Sequence, residues 1–169
     1  MEITIKKLQN ADLEKLYEFE SENRAYFEEM VPSRGDDYYN FETFKMRNIA
    51  LLDEQDQELS HFYLITDKDG VILGRMNLVD IEKSRGIGHI GYRVAEEYTG
   101  KGVANKAINL LLEHTEKLGI NRILAKTTTN NIASQKILEK NGFKYIEKSN
   151  DEFKMNGNLI SFVYYVWIK

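Results

Sequence analysis

The sequence predicts a mixed α/β (α+β) fold: a largely antiparallel central sheet of about seven strands flanked by four helices. Three observations predict it. Short aromatic and β-branched runs, such as His61-Phe62-Tyr63-Leu64-Ile65-Thr66, alternate with stretches of helical spacing. Tight turn signals at Asp67-Lys68-Asp69-Gly70 and Asn156-Gly157 mark hairpins, which make neighbouring strands antiparallel. A glycine-rich turn, Tyr98–Gly102, carries one strand directly into a strongly apolar helix.

The elements follow in order. Met1–Lys7 reads as a strand. Leu13, Leu16, Tyr17 and Phe19 fall near helical spacing behind Asp12. The only proline, Pro32, sits in a polar loop, Met30–Asp37. Phe41, Phe44, Lys45 and Ile49 continue as a second helix to about residue 56. Ser60–Asp67 and Val71–Ile81 form a hairpin, and Arg85-Gly86-Ile87-Gly88 leads into a third strand, His89–Ala95. The apolar helix runs from Val103 to about Leu118 and ends at Gly119. Arg122–Thr127 is a short strand, and Asn130–Asn141 is a helix stopped by Gly142. Phe143–Lys148 and Leu159–Ile168 are the last strands, with Asn156-Gly157 as the hairpin turn between them.

Composition bounds the function. A length of 169 residues suits one domain spanning residues 1–169. Hydrophobic residues make up 42% of the chain, enough to build a core. No run of about 18 apolar residues exists, so no membrane span is expected. The absence of cysteine excludes disulfides, a thiolate metal site and a cysteine nucleophile. A cytoplasmic location fits these features. The net charge of −4, with both signs mixed along the chain, argues against nucleic acid as the partner. An acidic surface serves solubility, or favours a cationic amine substrate. His61, His89 and His114 are scattered, so no metal is expected.

The chemistry-bearing segment is Thr99-Gly100-Lys101-Gly102-Val103-Ala104, between a strand and a helix. Two glycines separated by one residue let the backbone curl and leave space above it. The first helix amides then lack partners and attract an anion such as a phosphate. The alternative is a plain tight connection. The segment is not a P-loop, because no Gly-Lys is followed by Ser or Thr. Nor is it a dinucleotide fingerprint, which needs a further glycine. A second segment, Asn130-Asn131-Ile132-Ala133-Ser134, opens the later helix, where an asparagine also serves as an ordinary N-cap.

Together these segments resemble the GNAT (Gcn5-related) acetyltransferases. The family hallmark, Gln/Arg-x-x-Gly-x-Gly/Ala, corresponds to Thr99–Ala104, with threonine in the Gln/Arg place. Asn131-x-x-Ser134…Glu139-Lys140-x-Gly142-Phe143 is similar to the second motif, and Gly88–Val94 to the strand that feeds the turn. Within the family the chain looks most like the ribosomal-protein N-acetyltransferases RimJ and RimL. Asn23-Arg24 and the run Ile132–Lys140 carry that closer likeness.

The resemblance implies an N-acetyltransferase that moves an acetyl group from acetyl-CoA to a primary amine, with no metal. The acceptor is a protein or peptide N-terminal α-amine. A small amine such as a polyamine or aminoglycoside, or a non-catalytic acyl-CoA-binding role, is the alternative. Gly100, Lys101, Gly102, Val103 and Ala104, with Thr99, would hold the pyrophosphate. Tyr92 and Val94 would pair with the pantetheine arm, and Asn131 would hydrogen-bond it. The Val94 backbone amide is the candidate donor to the thioester oxygen. Many family members have a tyrosine acid where this chain has Leu138, so Ser134 is the replacement named for protonating the thiolate. Asp80, Glu82, Glu96 and Glu97 are the carboxylates considered as base, with Glu96 put forward. Asn23, Arg24 and Tyr38 are the acceptor-side candidates. A monomer and a homodimer are both compatible with the sequence.

Overall fold

The computed structural model describes all residues, Met1–Lys169. Seven strands form one sheet in the spatial order β1-β2-β3-β4-β5-β9-β6. Their spans are β1 Ile3–Lys7, β2 His61–Asp67, β3 Ile72–Glu82, β4 Ile87–Val94, β5 Arg122–Thr128, β6 Lys144–Lys148 and β9 Phe162–Ile168. A separate two-stranded ribbon joins β7 Phe153–Met155 to β8 Asn158–Ile160. Only the β4–β5 pair is parallel among neighbouring strands, and a helical crossover connects it.

The helices are α1 Leu13–Glu22, α2 Arg24–Met30, α3 Phe41–Asp56, α4 Val103–Glu113, α5 Thr115–Leu118 and α6 Ile132–Lys140. Six helices replace the expected four because two of the expected spans break. The first breaks at Asn23, whose side chain donates to the Phe19 carbonyl and competes with the helix ladder. The third breaks at His114, where a ring nitrogen meets the Leu110 carbonyl.

The final hairpin also differs from its expected form. Asn156-Gly157 turns β7 into β8, with Asn156 at φ 52° and Gly157 at φ 81°. The strands β6 and β9 pair with each other across the longer connection. The ribbon is a separate sheet, and the Asn156 side-chain amide donates to the Glu29 carbonyl at the end of α2, at 3.1 Å.

Strand alternation divides the core into two layers. Tyr63 and Ile65 of β2 face one layer, with Val103, Ala107, Ile108 and Leu111 of α4. Phe62 and Leu64 face the other, with Leu13, Leu16 and Phe19 of α1 and Phe44 of α3. Each such fully buried aliphatic or aromatic side chain contributes about 1.5–3 kcal/mol. The sheet is therefore fixed from both faces. The parallel pair β4–β5 is held over a short stretch only, Ile87–Ile90.

Candidate active site

The strands β4 and β5 pair only over Ile87–Ile90. Beyond Ile90 the β4 edge facing β5 has no strand partner, while its other edge stays paired with β3 up to Val94. The Ala95 N–H donates to the Leu73 carbonyl. Strand amides alternate in direction, so the N–H of Val94 points the other way, into the gap. The Tyr92 N–H shares that direction. An open row of backbone donors and acceptors is what an extended amide-bearing arm pairs with. Gly74 keeps β3 close behind this segment: a Cβ there would lie 2.4 Å from the Arg93 carbonyl oxygen.

The glycine-rich turn sits at the end of the gap. Gly100 and Gly102 have φ of 73° and 78°, a region side chains disfavour, and open space surrounds both. Gly102 is the N-cap of α4, and its carbonyl accepts the first helical bond, from the Lys106 amide. The amides of Val103, Ala104 and Asn105 precede that bond and stay available to an anion. The Thr99 hydroxyl donates to the Glu96 carbonyl at 2.7 Å, so it braces the turn. Lys101 is exposed, with its ammonium 5.6 Å from the Tyr98 ring centre.

Helix α6 supplies the opposite wall. The Asn131 side chain accepts from the Ser134 amide at 3.1 Å and so caps α6. Its carboxamide oxygen accepts in that role, which leaves its NH2 donors and the oxygen's second lone pair for a ligand. The side chain of Asn141 donates to the Asn105 carboxamide at 2.7 Å, tying the end of α6 to α4. The Ser134 and Tyr92 hydroxyls are 2.9 Å apart. Burial pushes the Tyr92 phenol up from its ordinary value, and the bond to Ser134 moderates the shift. A cavity of about 270 Å³ opens at the start of α6. Glu29 and Met30 of α2 face Thr128, Asn130, Asn131, Ile132 and Ala133 across it.

The expected residues therefore divide. Tyr92 and Val94 lie on the unpartnered edge of β4, Gly100–Ala104 open α4 just after it, and Tyr92 meets Ser134 in the turn that Asn131 caps. Leu138 is buried in the core layer under α4 and α6. Glu96 is exposed just after β4, and its amide meets the Asn23 carboxamide oxygen at 3.4 Å. Asp80 and Glu82 are corrected: Glu82 pairs with Ile87, at the other end of β4. Seven residues of strand place it about 20 Å from Val94. Arg24 is held by Glu28 and Asp36 and stacks over Tyr39. Tyr38 is buried, and its hydroxyl accepts from Arg34 and Arg75.

Sequence reading missed the group that Tyr38 and Arg34 join: Glu20, Asn48, Arg75 and Arg93. The signal was present. Glu20 lies one turn beyond Leu16 on the apolar face of α1, where a carboxylate needs a buried partner.

An acetyltransferase (GNAT) domain model matches residues 2–144. The chain belongs to the GNAT acetyltransferase family. As a member of it, the chain is an acyl-CoA-dependent N-acetyltransferase. It is 31% identical over 159 residues to the probable N-acetyltransferase YjcK of Bacillus subtilis (strain 168), covering 92% of this chain and 87% of that protein. It is 28% identical to the putative ribosomal N-acetyltransferase YdaF of the same organism, covering 99% and 91%. The ribosomal-protein-S5-alanine acetyltransferase of Vibrio fischeri has the same fold, with TM-score 0.89, 23% identity and coverage of 99% and 93%. RimL, the ribosomal L7/L12 α-N-protein acetyltransferase, solved with coenzyme A, also superposes at TM-score 0.89, with 18% identity and coverage of 99% and 94%. In this GNAT chain no helix is long and apolar enough to cross a membrane.

Proposed function

We propose that this GNAT chain transfers the acetyl group of acetyl-CoA to a primary amine, the α-amine of a protein or peptide N-terminus. The observation that carries the reading is the unpartnered β4 edge beyond Ile90, set beside the open amides of α4. The two together fit a molecule with an extended amide-bearing arm and a pyrophosphate. The names of YdaF and RimL favour a protein N-terminus as acceptor.

The residues divide the work. Gly100–Ala104 hold the pyrophosphate through main-chain donors, with Thr99 bracing the turn. The β4 edge at Tyr92 and Val94 aligns the pantetheine arm. The Val94 N–H meets the carbonyl oxygen of the thioester as negative charge develops there. An α-amine has an intrinsic pKa of about 7.7–8.0, so roughly one in ten is neutral at pH 7. Such an acceptor needs little help from a base, and holding it against the thioester supplies much of the acceleration. Ser134, hydrogen-bonded to Tyr92, gives a proton to the departing thiolate. Glu96, or Glu29 at the cavity wall, takes the amine proton through water.

The test is mass spectrometry of a peptide and small-amine panel with acetyl-CoA, next to calorimetry with coenzyme A. A gain of one acetyl group on peptide α-amines is expected. No measurable coenzyme A affinity would end this reading, and acetylation confined to polyamines would replace its acceptor.

A further inference from the structure

The side of β4 opposite Tyr92 carries a second polar group. Arg75 of β3 and Arg93 of β4 stand directly opposite each other in register and share a face. Like charges so placed repel. Glu20 of α1 bridges them, at 2.9 Å to Arg75 through one oxygen and 3.2 Å to Arg93 through the other. Arg34 approaches the same carboxylate at 3.8 Å. One carboxylate thus serves three guanidinium groups.

The three arginines are not equivalent. Arg75 is closed off, with its side chain 5% exposed and its remaining bonds going to Tyr38 and Asn48. The side chains of Arg93 and Arg34 are 19% and 32% exposed. Each guanidinium has five N–H donors. Arg93 finds one protein acceptor, Glu20, and Arg34 donates to the Tyr38 hydroxyl. The nearby acids Glu28 and Asp36 are already taken by Arg24. Glu20 is thus shared among Arg34, Arg75 and Arg93, and the positive charge it does not balance falls on the two partly open groups. Burial, with Arg34 and Arg75 reinforcing it, holds the Arg93 guanidinium below its ordinary value despite Glu20. Arg93 is also the residue before Val94, so its side chain begins within one strand step of the amide proposed to meet the thioester oxygen.

We infer that Arg34 and Arg93 form an anion subsite on the acceptor side of β4, and that the preferred acceptor carries a carboxylate close to its amine. The inference rests on the acetyl-transfer reading above and narrows its substrate class. Two sources share this chemistry: an acidic side chain next to a peptide N-terminus, and the carboxylate of a small amino acid.

The experiment compares kcat/KM for amidated peptides with Glu, Gln or Lys at the second position, and for a free amino acid against its amide. Wild type and Arg34→Gln are measured in parallel. The Glu peptide or the free acid is expected to exceed its neutral counterpart at least about tenfold, the scale of one charge-assisted hydrogen bond. In Arg34→Gln that ratio falls below about threefold, with the KM for acetyl-CoA unchanged. A preference confined to peptides or to free acids identifies the source. Calorimetry of the acetylated Glu and Gln peptides gives the same comparison without turnover. Equal values for acid and amide, or a preference for Lys, overturn the subsite while leaving acetyl transfer standing. Absent coenzyme A binding removes the parent reading and this one with it.

Discussion

The hydroxyls of Tyr92 and Ser134, one on β4 and one in the first turn of α6, lie 2.9 Å apart. The bond joins the strand that would align the thioester to the helix that would protonate the leaving group. Ser134→Ala is expected to lower turnover about tenfold or more, at the low end of general-acid contributions, and to leave the coenzyme A Kd within about twofold. Tyr92→Phe lowers it less, and the double variant matches Ser134→Ala, because the two groups act in series. Burial raises the Tyr92 phenol above its ordinary value, so kcat shows no loss from this pair in the range where an exposed tyrosine begins to ionise. Steady-state rates against pH check both statements. Unchanged turnover in Ser134→Ala would remove Ser134 from the mechanism.

Gly102 tests the phosphate cradle. Its φ of 78° costs a non-glycine residue about 1–2 kcal/mol, and a Cβ there meets no neighbour. Gly102→Ala therefore perturbs the backbone alone. The coenzyme A Kd is expected to rise roughly 5- to 30-fold, the equivalent of that strain, with the protein still folded. Calorimetry and circular dichroism read the two separately. Wild-type affinity in this variant would mean that the turn does not grip the ligand.

Glu20 ties the two strands behind the site. Burial raises its pKa, but Arg75, Arg93 and Arg34 outweigh that and hold it below the ordinary 4.5. A depressed carboxylate pKa stabilises the fold fully above the unfolded value. That contribution is lost as pH falls through the folded one, in the range below pH 4.5. Glu20→Gln leaves Arg75 and Arg93 facing each other uncompensated, and costs about 3–5 kcal/mol at pH 7. Urea melts between pH 3 and pH 7 are expected to converge for the two proteins at the acid end. A constant offset would show that the carboxylate charge is not the source.

His61 governs a different window. Its Nδ1 is buried without a partner, and burial, aided by Lys7, lowers its pKa from 6.5. A neutral buried histidine contributes its full share above pH 6.5, and that share is lost as pH falls through the lower folded value. His61→Leu removes both the unpaired nitrogen and the titration. Its melting temperature should equal or exceed that of the wild type and stay flatter between pH 5 and 6.5. Parallel Tm curves across that range would contradict the assignment.

Legibility in the sequence followed locality. Strand and helix spans came from periodicity, and most ends agree within two residues; α3, Phe41–Asp56, agrees with the span read from the sequence. The turn Gly100–Gly102 was readable because positive φ makes a glycine demand that belongs to the residue itself. The errors were long-range. Asn156-Gly157 was correctly a hairpin turn, but the strands it joins are β7 and β8, and nothing local states which strand pairs with which. Asp80 and Glu82 were grouped with Glu96 as strand-end carboxylates, although an antiparallel register sends their end of β3 away from the gap.

The chain's own residues determined the α/β class, the glycine-opened helix and the caps Asn131 and Gly102, since each depends on backbone preferences within a few residues. Tertiary structure alone decided the parting of β4 from β5 after Ile90, the meeting of Tyr92 with Ser134, and the gathering of Arg34, Arg75 and Arg93 on Glu20. Those partners stand between 14 and 73 positions apart. Whether they touch depends on strand order and register, which are set by packing the whole sheet rather than by any one segment.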